Sequence, residues 1–165
     1  MMRKSFRKGV SATMKLAEAL ILRADAQKRI AQLRERLGRS AKIQEGEQPP
    51  ENPLDLLGEI ARTIAEWTQI VKRINRTNAA TPFADGVSMT DALADRDAIV
   101  MERNTLTGVI QATAAPDFRY GRSEIKYFST VDIAALQKQV DALAKRHREL
   151  DTQIQALNWQ IDLLD

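Results

Sequence analysis

Residues 136–164 read LQKQVDALAKRHRELDTQIQALNWQIDLL. Within them Leu136, Val140, Leu143, His147, Leu150, Ile154, Leu157, Ile161 and Leu164 recur at alternating steps of four and three. That is a heptad seam, and a helix carrying it needs other helices to cover it. The spacing predicts a helix capped by Ser129 or Thr130 and running to the last residue. Such a rod is about two turns longer than the second or third helix read below, so one subunit leaves part of the seam bare. A homo-oligomer is the expectation, with His147, Leu150, Ile154, Leu157, Trp159 and Ile161 as its contact seam. Trp159 lies two residues beyond Leu157, off the main seam, where an aromatic suits a contact between subunits.

His147 is the only histidine. Its place between Leu143 and Leu150 suits a polar residue that sets register or oligomer state. A single histidine also excludes a di-iron bundle and a His-Glu-x-x-His hydrolase site.

Upstream, Leu16, Ala19, Arg23, Ala26, Ile30, Leu33 and Leu37 lie on one stripe of a helix over about 14–37. Leu20, Ile21, Leu22 and Ala24 widen the stripe, so cover on two sides is expected there. Gly38 is placed as the stop, followed by a loop to Asn52. Asn52 as cap and Pro53 at the first turn open helix two. Its stripe reads Leu57, Ile60, Ile64, Trp67, Val71 and Ile74, which makes Trp67 a core residue. Ala79–Val87 reads as a connection. Helix three begins at Ser88 or Thr90 with Asp91 as a first-turn acid. Leu93, Val100, Leu106 and Ile110 mark its buried side, interrupted by Arg96 and Arg103.

Beyond Pro116 the period changes. Phe118, Tyr120, Ile125, Tyr127 and Phe128 flank Gly121-Arg122-Ser123, so a small β-hairpin is expected at 118–128. Arg119, Tyr120, Arg122 and Lys126 gather charge and an aromatic ring beside that turn. This mixture grips phosphate or a single-stranded base, or else pairs with neighbouring carboxylates. Asn75, Arg76 and Asn78, joined by Glu124, are read as a candidate polar cluster beside the hairpin.

Composition bounds the rest. The chain of 165 residues is 44% hydrophobic and only 5% aromatic, with 7 glycines, which fits helices better than a sandwich or barrel. With 0 cysteines, disulfides, thiolate metal sites and cysteine nucleophiles are excluded. The formal charge is +3. Arg3, Lys4, Arg7, Lys8 and Lys15 meet no acid within residues 1–15, so the remainder holds 20 basic against 22 acidic side chains. The basic excess belongs to the leader, whereas a dedicated nucleic-acid domain carries it on the folded body. No run approaches the roughly 18 apolar residues that span a bilayer, and a cytoplasmic setting is expected. No phosphate loop, nucleophile elbow or Rossmann fingerprint occurs. Asp91 and Asp95 share a helix face, but such acids are ordinarily a solvated face. No catalytic residue, metal or cofactor is assigned.

Several blocks resemble the bacterial septicolysin family of small, uncharacterised helical proteins. They are the run from Met14 to Asp25, Ile74-Asn75-Arg76-Thr77-Asn78, Arg122-Ser123-Glu124-Ile125-Lys126 with Ser129-Thr130-Val131, and Leu157-Asn158-Trp159. The resemblance implies a mostly helical fold and a homo-oligomer, and implies no activity. A thiol-activated cytolysin would need cysteine, which is absent.

The expected architecture is mainly α. It is an antiparallel helical bundle with a long, coiled-coil-like C-terminal helix and a small β-hairpin. Residues 1–13 are a basic extension and 14–165 one helical domain. The expected function is a non-enzymatic, self-associating scaffold or protein-interaction module with no membrane role. Nucleic-acid, nucleotide or anion binding through Arg119–Lys126 is the alternative.

Overall fold

The computed structural model describes residues 13–114 and 128–165. Among them are four helices, α1 (Leu16–Ser40), α2 (Pro53–Ala80), α3 (Met89–Ala114) and α4 (Ile133–Gln160), and two short strands, β1 (Pro82–Ala84) and β2 (Val87–Ser88). The protein is therefore mainly α with a small antiparallel hairpin. Its backbone forms two compact units. One takes in the chain up to Thr81 together with Leu157–Asp165, and the other is Pro82–Ala156.

In the first unit α1 and α2 pack as an antiparallel pair. Arg29 bonds Glu59 of α2 and, further along α1, Arg36 bonds Glu51 just ahead of α2, so the two helices run in opposite directions. The expected stripe of α1 faces inward, with Leu16, Ala19 and Leu33 buried and Arg23, Ala26, Ile30 and Leu37 half-buried. Ile21 and Leu22 are exposed, so the two-sided cover expected there is not made by the described residues. Gly38 does not stop α1, which runs on to Ser40, whose side chain is buried. Helix propagation past a glycine costs only about 1 kcal/mol, which the packing of that last turn offsets.

α2 starts as the sequence predicts. The Asn52 side chain accepts from the Leu54 N–H at 3.0 Å, and Pro53 fills the first position, where no donor is required. Asn52→Ala is expected to cost about 1 kcal/mol of unfolding free energy in urea titrations.

The inward seam of α2 is Leu56, Ile60, Thr63, Trp67, Ile70, Ile74 and Thr77, all buried or half-buried. The stripe expected from sequence mixes this seam with a second one. Ile60, Trp67 and Ile74 belong inside, while Leu57 and Ile64 point to solvent. Trp67 is half-buried rather than fully in the core. The centre of this unit is a cluster of Leu16, Ala19, Ile74 and Leu163, with Met14, Leu20, Ile70 and Ile161 packed on it.

In the second unit β1 and β2 pair antiparallel, Pro82 with Ser88 and Ala84 with Val87, and lie against α3. Gly86 turns the chain at φ 74°, a conformation open to glycine at no steric cost. A connection expected to be irregular is thus the hairpin. The hairpin expected at 118–128 lies outside the described residues except for Phe128, which is exposed. α3 is capped by Ser88 and Asp91, each bonding the other's main chain or side chain. Met89, Ala92 and Ile99 are its buried residues. Arg96 and Arg103 are half-buried on the same side. Arg96 meets Asp151 of α4 at 3.6 Å and Asp97 at 2.9 Å.

α4 departs from expectation at both ends. Asp132, not Ser129 or Thr130, accepts from the Ala135 N–H, so the helix starts at Ile133. It has 28 residues, as α2 does, against 26 in α3, so it is not the longer rod foreseen. It stops at Gln160, and Ile161–Asp165 leave the helical path. The seam residues from Leu136 to Ile161 are half-buried, with Ile154 buried at 1% exposure.

Candidate functional site

The densest set of long-range polar contacts among the described residues surrounds the closing segment Ile161–Asp165. It begins where α1 begins. The Leu16 N–H donates to the Ile161 carbonyl at 2.9 Å, and the Leu163 N–H donates to the Met14 carbonyl at 2.8 Å. These two bonds flank Lys15 and Asp162, which are antiparallel partners. Lys15 Nζ adds an ion pair to Asp162 at 2.7 Å and a bond to the Gln160 carbonyl at 3.0 Å. Lys15 thus satisfies an end carbonyl of α4, one of those that helix geometry leaves without an internal partner.

The last turns of α2 form the other wall. Thr77 is fully buried at an inward seam position. Its hydroxyl donates to the Arg73 carbonyl at 2.8 Å and accepts from the Leu164 N–H at 3.0 Å. Arg73 Nε reaches the Leu164 carbonyl at 3.0 Å, and its guanidinium meets the Asp165 carboxylate at 2.8 Å. Arg76 bonds the Asp165 main-chain oxygen. Between the walls Leu163 is buried in the apolar cluster. The whole is a short strand-like segment held by main-chain pairing, three cations and one apolar anchor.

Lys15 holds the Asp162 carboxyl below its ordinary value of 3.8, with the Thr13 hydroxyl assisting. A carboxylate shifted down stabilises the folded form above that ordinary value and loses the contribution as pH falls through the depressed one. Thermal melts between neutral pH and about pH 3 are therefore expected to fall more steeply for the native chain than for Asp162→Asn below about pH 4. Equal slopes would show that the pair contributes nothing.

Of the polar cluster read from sequence, Arg76 lies in this clasp. Asn75 is exposed and Asn78 half-buried, and Glu124 lies outside the described residues. Sequence reasoning missed Arg73, Lys15, Asp162 and Asp165, and read Thr77 only as part of the polar block from Asn75 to Asn78. The one available signal was Thr77 at a seam position, where a threonine calls for a hydrogen-bond partner. The candidate ligand residues Arg119, Tyr120, Arg122 and Lys126 also lie outside the described residues.

A second concave feature is an open groove of about 620 Å³ along the later half of α1, bounded by Glu59. Its cations already have acidic partners. Arg29 pairs with Glu59 at 2.6 Å, Lys28 with Asp25 at 3.5 Å and Arg39 with Glu35 at 3.6 Å. Arg36 is bound by Glu51, which it holds below the ordinary carboxylate range. The groove is close to electroneutral, which does not favour a polyanion.

On α3, Ser88 hydroxyl and N–H bonds hold the Asp91 carboxyl below its ordinary range, so this acid serves as a cap. Among the described residues no group of three or more His, Asp or Glu converges in a way that holds a metal. No helix of the described residues is long and apolar enough to cross a membrane. Of the oligomer seam read from sequence, Ile154 is buried in the chain itself, and His147, Leu150, Leu157 and Ile161 are half-buried. Trp159 is 57% exposed.

The described residues form a mainly α protein whose last five residues are clasped against the start of α1 and the end of α2. The chain belongs to a family of unknown function, DUF6847, whose model matches residues 23–163. It is similar to a crystallographically solved, functionally unknown conserved protein from Corynebacterium diphtheriae. The identity is 43%, the match covers 92% of this chain and 99% of that one, and the TM-score is 0.83. No curated protein matches.

Proposed function

We propose that this chain is a non-enzymatic, self-associating helical protein that serves as a scaffold or protein-interaction module, and that the outer stripe of α2 is its contact surface. One observation supports the reading. Leu54, Leu57, Ala61 and Ile64 follow each other at steps of three, four and three, and all are exposed. The large ones stand at 75%, 49% and 44% exposure. Single exposed apolar residues are ordinary, but four in heptad register on one helix form a seam that no described residue covers.

The occupant is a second copy. A symmetric dimer needs a surface that complements itself. An antiparallel pairing of two α2 helices about a two-fold axis near residue 59 places Leu54 opposite Ile64 and Leu57 opposite Ala61. Large residues then meet large or small ones in alternation, and no charge enters the stripe.

This relocates the seam expected on α4, whose central Ile154 is already covered. Trp159 is exposed as well. The septicolysin resemblance contributes self-association to this reading and no pore chemistry. The anion-binding alternative rests on Arg119, Tyr120, Arg122 and Lys126, and no described residue adds to it. Light scattering across a dilution series tests the proposal. The native chain is expected to shift reversibly between dimer and monomer, and a chain monomeric at every concentration would contradict it.

A further inference from the structure

We infer that Arg23 and Trp67 form a site between α1 and α2 for a small monovalent anion such as a halide. The site lies within the first unit and is independent of self-association. It does not involve Arg119, Tyr120, Arg122 or Lys126.

Arg23 Nε and Trp67 Nε1 are both buried, and neither has a hydrogen-bond partner among the described residues. Buried donors are ordinarily paired, and one left without an acceptor is destabilising, more so when it carries charge. These two share a layer of the helix pair. Leu16 of α1 and Ile74 of α2 belong to one apolar cluster. Arg23 lies one heptad beyond Leu16, and Trp67 lies one heptad before Ile74. In an antiparallel pair, equal steps taken in opposite senses lead to the same level. The ion pair of Arg29 with Glu59, further along both helices, agrees with that register.

The layer holds donors without a matching acceptor. Its inner neighbours are Ala19 and Ala26 on α1, and Thr63 and Ile70 on α2. The Thr63 hydroxyl donates to the Glu59 carbonyl at 2.9 Å. Arg29, Arg36 and Arg39 each meet a carboxylate, but no described carboxylate bonds Arg23 Nε.

Two N–H groups, one of them on a permanent cation, select an acceptor that carries negative charge. A water molecule would accept both bonds but leave its own hydrogens facing alanine and isoleucine, whereas buried waters make about three bonds. An anion accepts only, and it neutralises the guanidinium. Enclosure between two packed helices, with Ala19 fully buried, restricts the occupant to a small ion. Arg23 and Trp67 are half-buried, so the layer is close to the surface and is reached without separating the helices.

The indole N–H resonances of the full-length protein test this, because the chain has 2 tryptophans and only Trp67 belongs to the site. Chloride replaces gluconate, which is too bulky for the layer, at constant ionic strength. The Trp67 N–H is expected to move along a saturating curve, while that of Trp159, 57% exposed, stays in place. Arg23→Met keeps an apolar stem and removes both the donor and the charge. It is expected to weaken chloride binding about ten- to a hundredfold, the factor carried by one charge-assisted hydrogen bond. Arg23→Lys keeps the charge without an N–H at that position, and serves if the first variant does not fold. Its affinity is expected to fall as well. No saturable Trp67 response in the native chain overturns the proposal, as does a drift shared equally by both indoles. Unchanged affinity in the folded Arg23 variant overturns it too. A Trp67 N–H that keeps a cross-peak to bound water at every chloride concentration would assign the layer to water and overturn it.

Discussion

Ile74→Ala is expected to lower the unfolding free energy by about 2–4 kcal/mol, the range for removing a buried branched side chain and leaving a cavity. Ile74 is 2% exposed and sits where α1, α2 and Leu163 meet. Truncation therefore removes contacts with both α1 and the closing segment at once. The neighbours are poorly placed to close the gap, because Leu16 and Leu163 are fixed by main-chain bonds to Ile161 and Met14. Tryptophan fluorescence reports this unit in particular, since Trp67 and Trp159 both belong to it. Ile21→Ala is the control, an exposed site where the change is expected to stay within about 0.5 kcal/mol. A loss at Ile74 no larger than at Ile21 would remove the cluster as the centre of the unit.

Leu57→Glu is expected to weaken self-association by about 100-fold or more while leaving thermal stability nearly unchanged. The magnitude follows from symmetry. Each dimer contains the substitution twice, and an unpaired carboxylate at an apolar contact costs several kcal/mol before relaxation. Every 1.4 kcal/mol is a factor of ten in affinity. The free chain tolerates the change because position 57 is half open to water, where a glutamate keeps its hydration. Sedimentation velocity at increasing concentration checks both parts when combined with a melt. An unchanged dimer, or a melting point that drops as far as that of Ile74→Ala, would place Leu57 inside the fold and not at a contact.

Helix-scale features were readable from residues. Asn52-Pro53 marks the start of α2, and the α1 stripe from Leu16 to Leu37 is the one that turns inward. Periodicity alone did not separate the two seams of α2. Leu57 and Ile60, like Ile64 and Trp67, are three apart, so both seams fall within one broad apolar arc. Which half is inside depends on where α1 lies. The end of α4 was hidden for a similar reason. Ile161 and Leu164 continue the heptad count, so nothing local announces the break after Gln160. The break is made by Lys15 and Thr77, which capture the carbonyl of Gln160 and the N–H of Leu164 from across the sequence. The hairpin at Pro82–Ser88 did carry a local sign. Asp85-Gly86 between Phe83 and Val87 is a strong turn pair, whereas the hairpin read at 118–128 lies outside the described residues apart from Phe128. The clasp was the least legible part, because only Arg76 of its arginines stood in a recognisable block and its partners lie about 90 residues away in the chain.

In the proposed dimer the outer stripe of α2 is covered by the same stripe of a second copy. The most direct measurement is an isotope-filtered methyl NOE experiment on a mixture of labelled and unlabelled native chains. Cross-peaks between copies are predicted from Leu54 to Ile64 and from Leu57 to Ala61. A sample in which those methyl groups contact only water, or only residues of their own chain, would contradict it.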